Sequence, residues 1–288
     1  MIKTLYALLK VNHWIKNTFI FIPAFFGGVL INNEVIFNLI IGFFTFSLAA
    51  SSIYIINDIK DIEFDKNHPK KSKRPIASGQ ISIKYALSIF VGLVITCIIL
   101  ASFLPFESQI IVFSYFILNI FYSLKGKQIS IVDITIVSLG FVFRIAYGGV
   151  ISGVIVSKWL FLLTFLLSLF LVIAKRRDDF VIENNKKELR KVSKHYNLDF
   201  INYSMIMISS LIVVCYIMYT FSTTHFGDDN NYLVFCSSLL VILGILRYFQ
   251  ITFVENNSGS PTSLLLKDNF IRIVLLVWVA LFAFVIYF

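Results

Sequence analysis

The densest group of residues that could do chemistry is the string NDIKDIEFD at positions 57–65. Asp58, Asp61 and Asp65 follow Asn57 by one, four and eight residues. If the helix continues, all four lie along one face. Carboxylate and amide oxygens are ligands that Mg²⁺ takes together with substrate phosphate oxygens. The spacing therefore predicts that these four residues bind Mg²⁺ on a diphosphate. The alternative is a solvated acidic helix end.

The residues that follow are strongly basic. The string HPKKSKRPIASG occupies positions 68–79, directly after the acidic stripe. Lysine and arginine offset the charge of phosphate oxygens and hydrogen-bond to them, and a metal–phosphate site needs both signs of charge side by side. We therefore expect Lys73 and Arg74 to bind substrate phosphate. His68 and His195 are single histidines in basic loops, and we do not expect either to bind a metal.

The elements that position these residues must lie in a membrane. Of the 288 residues, 58% are hydrophobic and only 14% are charged, against about 45–50% and about 25% in soluble domains. This composition excludes a disordered chain, a soluble globule and a nucleic-acid-binding module with a basic surface. It indicates a polytopic membrane protein with no nucleic-acid partner.

The apolar runs predict an all-α protein with nine transmembrane helices, since each span needs about 20 residues. With no linker or soluble segment in view, we expect one integral membrane domain over residues 1–288. The start of the chain has no small-residue cleavage site, so we expect no removable signal peptide. The predicted spans cover residues 15–32, 35–56, 82–104, 108–124, 131–151, 158–174, 201–222, 231–249 and 270–288.

The basic residues predict how the chain is oriented. The Lys and Arg residues concentrate before span one and after spans two, four and six, while the opposite loops carry Glu34, Glu107, Asp228 and Asp229. Short cytoplasmic loops carry the basic excess. We therefore expect a cytoplasmic N-terminus and a candidate site that faces the cytoplasm, and this asymmetry together with an anionic ligand accounts for the net charge of +9.

Further candidates lie in and near the middle spans. Arg144 is an ionisable residue inside a predicted span, where such residues normally face a cavity or a partner. Asp133, eleven residues earlier, falls within about 20° of it around a helix, so we expect both to face one cavity. Tyr122, Ser123, Lys125 and Lys127 are expected at the cytoplasmic rim, where they could hold phosphate. The three cysteines lie in apolar runs and are predicted to be buried thiols.

The string NDIKDIEFDKNHPKKSKRPIASGQIS resembles the first aspartate-rich motif, NDxxDxxxD, of the UbiA-type prenyltransferase superfamily of intramembrane enzymes. Three further segments resemble its polyprenyl-phosphate phosphoribosyltransferase branch. The first is WIKN with Lys16 and Asn17. The second is residues 122–149, which contain Asp133 and Arg144. The third is residues 246–269, with Arg247 followed by a GSP tripeptide. Together these matches cover almost the whole chain.

The resemblance implies nine helices around a central cavity. It also implies Mg²⁺-dependent transfer of 5-phosphoribosyl from phosphoribosyl diphosphate to a polyprenyl phosphate, in the cytoplasmic membrane of a prokaryote, for cell-envelope furanose biosynthesis. On this reading Asp58, Asp61, Arg144 and Lys175 are catalytic. The expected substrate-binding residues are Lys16, Asn17, Lys73, Arg74, Tyr122, Lys125, Asp133, Arg176, Arg177, Asp179 and Arg247.

One segment departs from the superfamily pattern. Members with aromatic acceptors carry a second aspartate-rich motif after span six, whereas this chain has AKRRDDFVIENN there. An acidic pair, Asp179 and Glu183, still has the spacing of that second motif. It is preceded by three basic residues, Lys175, Arg176 and Arg177. Phosphoribosyl diphosphate and a lipid phosphate bring more negative charge than an aromatic acceptor, and the extra cations suit that charge.

Two other functions remain open from the sequence. A UbiA-type enzyme could instead move an isoprenoid from an allylic diphosphate to an aromatic or other small acceptor, using the same Mg²⁺–diphosphate site. A transporter with an incidental acidic loop is the alternative from another class, although the polar residues cluster on one face and not at mid-membrane. The sequence does not give the isoprenoid length or the oligomeric state.

Overall fold

The computed structural model describes residues 2–68, 71–184, 196–222, 228–255 and 267–288, together with Leu264. This part of the chain is helical and contains no β-strand. Its α-helices are α1 (Ile2–Leu9), α2 (Ile22–Phe26), α3 (Asn33–Lys60), α4 (Ile62–Lys66), α5 (Ile83–Ala101), α6 (Phe106–Leu124), α7 (Val132–Ser152), α8 (Lys158–Asn184), α9 (Leu198–Ser222), α10 (Asp228–Phe249) and α11 (Asn269–Tyr287). Short 3₁₀ helices cover Val11–Phe21, Lys71–Lys73 and Gly126–Gln128, and a π-helical turn covers Gln250–Val254.

Eight of these helices are long and apolar enough to cross a membrane. They are α3, α5, α6, α7, α8, α9, α10 and α11. They correspond to the second to ninth predicted spans, so the prediction of an all-α, polytopic membrane protein is confirmed. The count of nine spans and the side of the membrane on which the N-terminus lies stay predictions.

The first predicted span, residues 15–32, has a different local structure from the others. It consists of the end of the 3₁₀ helix Val11–Phe21, then α2, then a turn in which Gly28 has φ +69°. Pro23 is accommodated in the first turn of α2, where its missing N–H is not needed. A 3₁₀ helix rises about 2.0 Å per residue, so Val11–Phe21 and α2 together reach about 30 Å, the thickness of the hydrocarbon core.

The described chain divides into two compact units. The first contains Met1–Lys127 and Phe143–Val156, and the second contains Gln128–Val142 and Ser157–Phe288. Helix α7 therefore belongs to the second unit in its first half and to the first unit from Phe143 onward. The single domain over residues 1–288 stays a prediction.

Helix α3 forms the centre of the first unit and packs against α1, the segment Val11–Phe21, α5 and α6. It begins at an N-cap in which Asn32 Oδ1 accepts from the Glu34 N–H at 2.9 Å. Its buried face is rich in small side chains, which let helix backbones approach closely inside a membrane. The small buried residues are Gly42, Thr45, Ser47, Ala49, Ala50, Ser51 and Ser52.

In the second unit, α9 packs against α8 and α10, and α10 packs against α11. A chain of hydrogen bonds joins three of these helices. The Trp278 indole N–H donates to Tyr216 Oη at 2.8 Å, and that hydroxyl lies 2.6 Å from Ser237 Oγ. Such polar contacts fix the relative rotation of helices that are otherwise held by apolar packing.

Two helices continue past the hydrophobic run that predicted them. Helix α3 extends to Lys60 and α8 extends to Asn184, beyond predicted ends at residues 56 and 174. These extensions carry the polar strings that begin at Asn57 and Lys175.

Cys97 is buried and Cys215 half-buried, but Cys236 is exposed, so the buried-thiol prediction is wrong for Cys236. Cys236 lies on a helix whose outer face is apolar, where exposure of a small thiol costs little.

Candidate active site

The acidic string lies across the end of α3 and the short helix α4. The first helix ends at Lys60, and Asp61 has φ −93° and ψ 8°. Backbone bonds nevertheless continue at helical spacing, with the Asp61 N–H donating to Asn57 O at 3.0 Å and the Asp65 N–H donating to Asp61 O at 2.8 Å. The break therefore leaves Asn57, Asp61 and Asp65 on successive turns, as the spacing predicts.

The loop that follows brings a cation onto two of the carboxylates. Arg74 Nη1 donates to Asp65 Oδ2 at 2.6 Å and to Asp58 Oδ1 at 3.0 Å. Both carboxylates are almost completely buried, with 2% of Asp58 and 1% of Asp65 exposed. A buried carboxylate is costly unless it is paired, so Arg74 stabilises the fold of this loop as well as the site.

A second cation reaches Asp58 from the start of the chain. Lys10 Nζ donates to Asp58 Oδ1 at 2.7 Å and lies 4.8 Å from the centre of the Tyr54 ring. Burial lowers the pKa of Lys10 from its ordinary value. The negative charge of Asp58 raises this pKa, but by less than burial lowers it. Lys10 has φ 49° and ψ 46°, an uncommon conformation for a residue with a side chain, and such strain often lies at functional sites.

A third cation contacts the remaining carboxylate. Lys127 Nζ donates to an oxygen of Asp61 and lies 3.4 Å from Asn57 Oδ1. Asp61 is more accessible than the other two acids, with 24% of its side chain exposed. Lys125, which the sequence predicted at this rim, is exposed, and Tyr122 is half-buried. The structure thus brings Lys127, and not Lys125, to the acidic string.

The donor atoms in this cluster fit a hard divalent cation. Asp58 Oδ2 and Asp65 Oδ1 are buried and have no hydrogen-bond partner in the described chain. Each oxygen could therefore coordinate a metal ion. No three acidic, histidine or cysteine side chains in the described part of the chain form a compact ligand group by themselves. This suits Mg²⁺, which usually takes one or two carboxylates and completes its shell with phosphate oxygens and waters.

Arg144 is buried elsewhere in the first unit. Its Nε donates to Asn17 Oδ1 at 2.8 Å, and its guanidinium lies 4.8 Å from the Phe46 ring centre and 5.4 Å from that of Tyr115. Asn17 in turn donates to Ser47 Oγ at 2.8 Å. Arg144 therefore fastens α7 to the segment Val11–Phe21, which also carries the half-buried Lys16.

Asp133 has a separate set of partners, in the second unit. Its Oδ2 lies 2.8 Å from Arg176 Nη2, and its Oδ1 accepts from the Tyr196 hydroxyl at 3.0 Å. The same hydroxyl accepts from the Ile131 N–H at 2.6 Å. Ile131 has φ +66°, which is rare for a β-branched residue, so the bond to Tyr196 holds a strained turn at the start of α7. Asp133 and Arg144 are confirmed on one helix, but their common cavity stays a prediction.

The remaining basic candidates differ in exposure. Lys175 and Lys73 are exposed. Arg177 is buried, where its Nε donates to Asn202 Oδ1 at 3.1 Å and its guanidinium lies 5.0 Å from the Phe253 ring centre. Arg247 donates to Asp268 Oδ2 at 2.8 Å and to Glu255 Oε1 at 2.8 Å. The Asp179 and Glu183 side chains, His195 and the GSP tripeptide at 259–261 lie outside the described residues, so the predictions about them are not tested.

Two titratable side chains outside the spanning segments, Asp268 and Tyr196, have shifted pKa values. The hydrogen bond from Arg247 holds the pKa of Asp268 below its ordinary value. Asp268 also caps α11 by accepting from the Ile271 N–H at 2.9 Å. Burial raises the pKa of Tyr196 to about 12, so its hydroxyl keeps its proton at physiological pH and can donate to Asp133.

Tyr196→Phe is expected to lower the free energy of unfolding by about 1–2 kcal/mol, because it removes two hydrogen bonds and leaves the Ile131 N–H without that acceptor. The measurement is thermal unfolding of the purified protein in detergent. The matched control is Tyr203→Phe on α9, whose side chain is 69% exposed, and which should change stability by less than about 0.5 kcal/mol. Equal effects of the two substitutions would contradict the anchoring role of Tyr196.

Sequence reasoning missed Lys10, Tyr196 and Asn202, and it placed Lys127 at the cytoplasmic rim without predicting its contact with Asp61. Lys10 and Lys127 lie 48 and 66 residues from the acids that they contact, so no local spacing connects them. The one available signal was the presence of basic residues at the predicted cytoplasmic ends of spans. Tyr196 and Asn202 carry no charge and belong to no motif.

Comparison with known proteins adds to this geometry. Residues 20–274 match the model of the UbiA prenyltransferase family. A decaprenyl-phosphate phosphoribosyltransferase from Corynebacterium glutamicum is 28% identical over 97% of this chain and 85% of its own length. The protein of the same name from Mycolicibacterium smegmatis is 29% identical over 100% of this chain and 94% of its own. A UbiA homologue from Archaeoglobus fulgidus, solved bound to GPP and Mg²⁺, superposes with a TM-score of 0.76 at 17% identity over 99% of each chain.

Proposed function

Because the chain belongs to the UbiA prenyltransferase family, we propose that it transfers a 5-phosphoribosyl group from phosphoribosyl diphosphate to a polyprenyl phosphate and releases diphosphate. The observation that carries this choice of substrates is the similarity, over almost the whole chain, to relatives named decaprenyl-phosphate phosphoribosyltransferase. The buried acids and their three cations support it, because a donor with a diphosphate leaving group needs both.

The acidic cluster would hold the donor through a metal ion. The candidate ligands are Asn57, Asp58, Asp61 and Asp65, and Mg²⁺ would take one or two of their carboxylates together with diphosphate oxygens. When bound, Mg²⁺ would withdraw negative charge from the diphosphate as the bond to the ribose breaks. Arg74 and Lys127 lie within hydrogen-bond distance of these acids and would contact the diphosphate oxygens.

The other substrate phosphates need cations of their own. Lys73 and Lys175 are exposed and can reach an anionic ligand, so we assign them to the 5-phosphate and the acceptor phosphate. Arg176, which lies 2.8 Å from Asp133, would add positive charge for these phosphates. Arg144 orients the segment that carries Lys16 through its bond to Asn17.

The chemistry needs no general base from the protein. An oxygen of the acceptor phosphate forms a bond to C1 of the ribose, and the bond from C1 to the diphosphate oxygen breaks with its electrons leaving on diphosphate. The second pKa of a phosphate monoester is about 6, so the acceptor is already anionic at neutral pH. The task of the protein is to bind both anions and exclude water.

The cellular setting follows from the same features. The eight apolar helices make the chain an integral membrane protein. The basic loops favour the cytoplasmic membrane, with the acidic cluster on the cytoplasmic side where a soluble phosphoribosyl donor is available. A phosphoribosylated lipid of this kind would supply furanose residues for the cell envelope.

The proposal predicts lipid labelling. Membranes that contain the protein are incubated with radiolabelled phosphoribosyl diphosphate, a polyprenyl phosphate and Mg²⁺, and the label extracted into organic solvent is counted. We expect label that requires both Mg²⁺ and the polyprenyl phosphate, and that disappears with Asp61→Ala. Product from geranyl diphosphate and an aromatic acceptor, with none from phosphoribosyl diphosphate, would instead indicate a prenyltransferase. No label from phosphoribosyl diphosphate with a folded protein would overturn the proposed transfer.

A further inference from the structure

The candidate metal ligands are already paired with cations of the chain itself. Within the first unit, each of the three aspartates contacts at least one basic side chain: Lys10 and Arg74 on Asp58, Arg74 on Asp65, and Lys127 on Asp61. The three carboxylates and the three cations balance in charge. A divalent cation that enters alone would therefore add two uncompensated positive charges to a largely buried cluster.

The contacts also compete directly for oxygen atoms. Asp58 Oδ1 accepts from both Lys10 and Arg74, at 2.7 and 3.0 Å. The second oxygen, Asp58 Oδ2, is buried and has no hydrogen-bond partner in the described chain, and neither has Asp65 Oδ1. These two atoms are the open acceptor positions of the cluster. A metal ion bound at Asp58 Oδ2 would lie within a few ångströms of two positive side chains that share the same carboxylate.

We infer that Lys10, Arg74 and Lys127 act as internal counter-ions that keep a free divalent cation out of the cluster and admit it only together with a polyphosphate. A diphosphate group brings about three negative charges, and its oxygens can accept the hydrogen bonds that the cations now donate to the aspartates. The carboxylates are then available to the metal. Metal and diphosphate therefore bind cooperatively, each strengthening the other by the same factor.

This inference rests on the proposed metal–diphosphate site, but not on the identity of the donor or the acceptor. Inorganic diphosphate is the shared product of phosphoribosyl and prenyl transfer, so it probes the cluster in either case. Lys10 is the best position for the test, because its ammonium group contacts Asp58 and the Tyr54 ring, and no motif includes it. Lys10→Met removes the charge and keeps an aliphatic side chain of similar length.

The experiment measures binding, not turnover. The full-length protein in detergent is treated with a chelator and then dialysed to equilibrium against ⁵⁴Mn²⁺, ³²P-labelled inorganic diphosphate, or both. For the wild type, we expect at least tenfold tighter retention of Mn²⁺ when diphosphate is present. For Lys10→Met, we expect Mn²⁺ alone to bind at least tenfold tighter than to the wild type, and the gain from diphosphate to shrink.

Two further variants keep the outcome interpretable. Lys66→Met is the matched control, because Lys66 is half exposed and pairs with the surface residue Glu63, outside the cluster; it should behave as the wild type. Lys127→Met should shift Mn²⁺ binding in the same direction as Lys10→Met, and it replaces that variant if Lys10→Met does not fold.

The possible failures are distinguishable. Equal binding of Mn²⁺ with and without diphosphate in the wild type would overturn the inference and leave the proposed function standing. Unchanged binding of Mn²⁺ alone in both lysine variants would also overturn it. No retention of either label under any condition would remove the metal–diphosphate site itself, and the proposed function with it.

Discussion

Asp61→Asn is expected to lower kcat for transfer about 10³-fold while changing the free energy of unfolding by less than about 1 kcal/mol. The activity loss corresponds to about 4 kcal/mol of transition-state stabilisation, within the several kcal/mol that a metal ion and its ligands supply to a leaving group. Stability changes little because Asp61 is 24% exposed and the new amide can still accept from Lys127. The measurement is the rate of lipid labelling, paired with thermal unfolding.

The control for this prediction comes from the same string of residues. Glu63 lies two positions away, and its carboxylate is 86% exposed and contacts only the surface cation Lys66 among the described residues. Glu63→Gln removes one negative charge from the same loop but should leave kcat within about twofold. A loss of less than tenfold with Asp61→Asn, or equal losses with both variants, would mean that the acids act only through the general charge of the surface.

Asp61 is the better test position than Asp58 for a physical reason. Asp58 is 2% exposed and accepts from two cations, so its replacement leaves Lys10 and Arg74 near each other with one anion fewer. Breaking a buried pair in this way typically costs about 3–5 kcal/mol. An inactive Asp58→Asn protein would therefore not separate a catalytic defect from a folding defect.

The sequence predicts the part of the site that is local in the chain. Asn57, Asp58, Asp61 and Asp65 follow helical spacing, and Arg74 comes nine residues later in the same loop, so the pattern and the charge contrast were visible. Long-range pairing is different. The contacts of Lys10 depend on how α1 packs against α3, and packing of two apolar helices leaves no periodic signal in either sequence.

The fold shows the same division between local and long-range information. Nine apolar runs were predicted as spanning helices, and eight of them correspond to spanning α-helices in the described chain. Hydropathy does not distinguish an α-helix from a 3₁₀ helix, which is why the local structure of Val11–Phe21 was not predicted. Arg144 was expected to face a cavity or a partner, but its partners Asn17, Phe46 and Tyr115 could not be identified because they are distant in sequence.

Gly148→Ala is expected to destabilise the protein by about 3 kcal/mol or more. A Cβ at this position would lie 2.0 Å from Ile20 O and 2.8 Å from the Ile20 carbonyl carbon. Both atoms are backbone, so no side-chain rotation relieves the overlap, and the cost falls at the upper end of that for overpacking. Thermal unfolding and the yield of folded protein in detergent measure the effect.

Gly92→Ala adds the same methyl group but is expected to stabilise the protein. Gly92 lies on α5, and a Cβ there would have no atom within 4 Å, so alanine should stabilise that helix by about 0.5–1 kcal/mol through its higher helix propensity. Similar unfolding temperatures for the two variants would show that α7 does not need its close approach to the segment Val11–Phe21.

The consequence of Gly148→Ala extends to the candidate site. Gly148 lies one helical turn after Arg144 on α7, and Ile20 lies three residues after Asn17, so the contact that the methyl group would break is adjacent to the bond from Arg144 Nε to Asn17 Oδ1. Any Gly148→Ala protein that still folds should therefore show weaker binding of the phosphorylated substrates through Lys16, and its KM should rise before its kcat falls. A variant that is destabilised but keeps the wild-type KM would separate the packing of α7 from substrate binding.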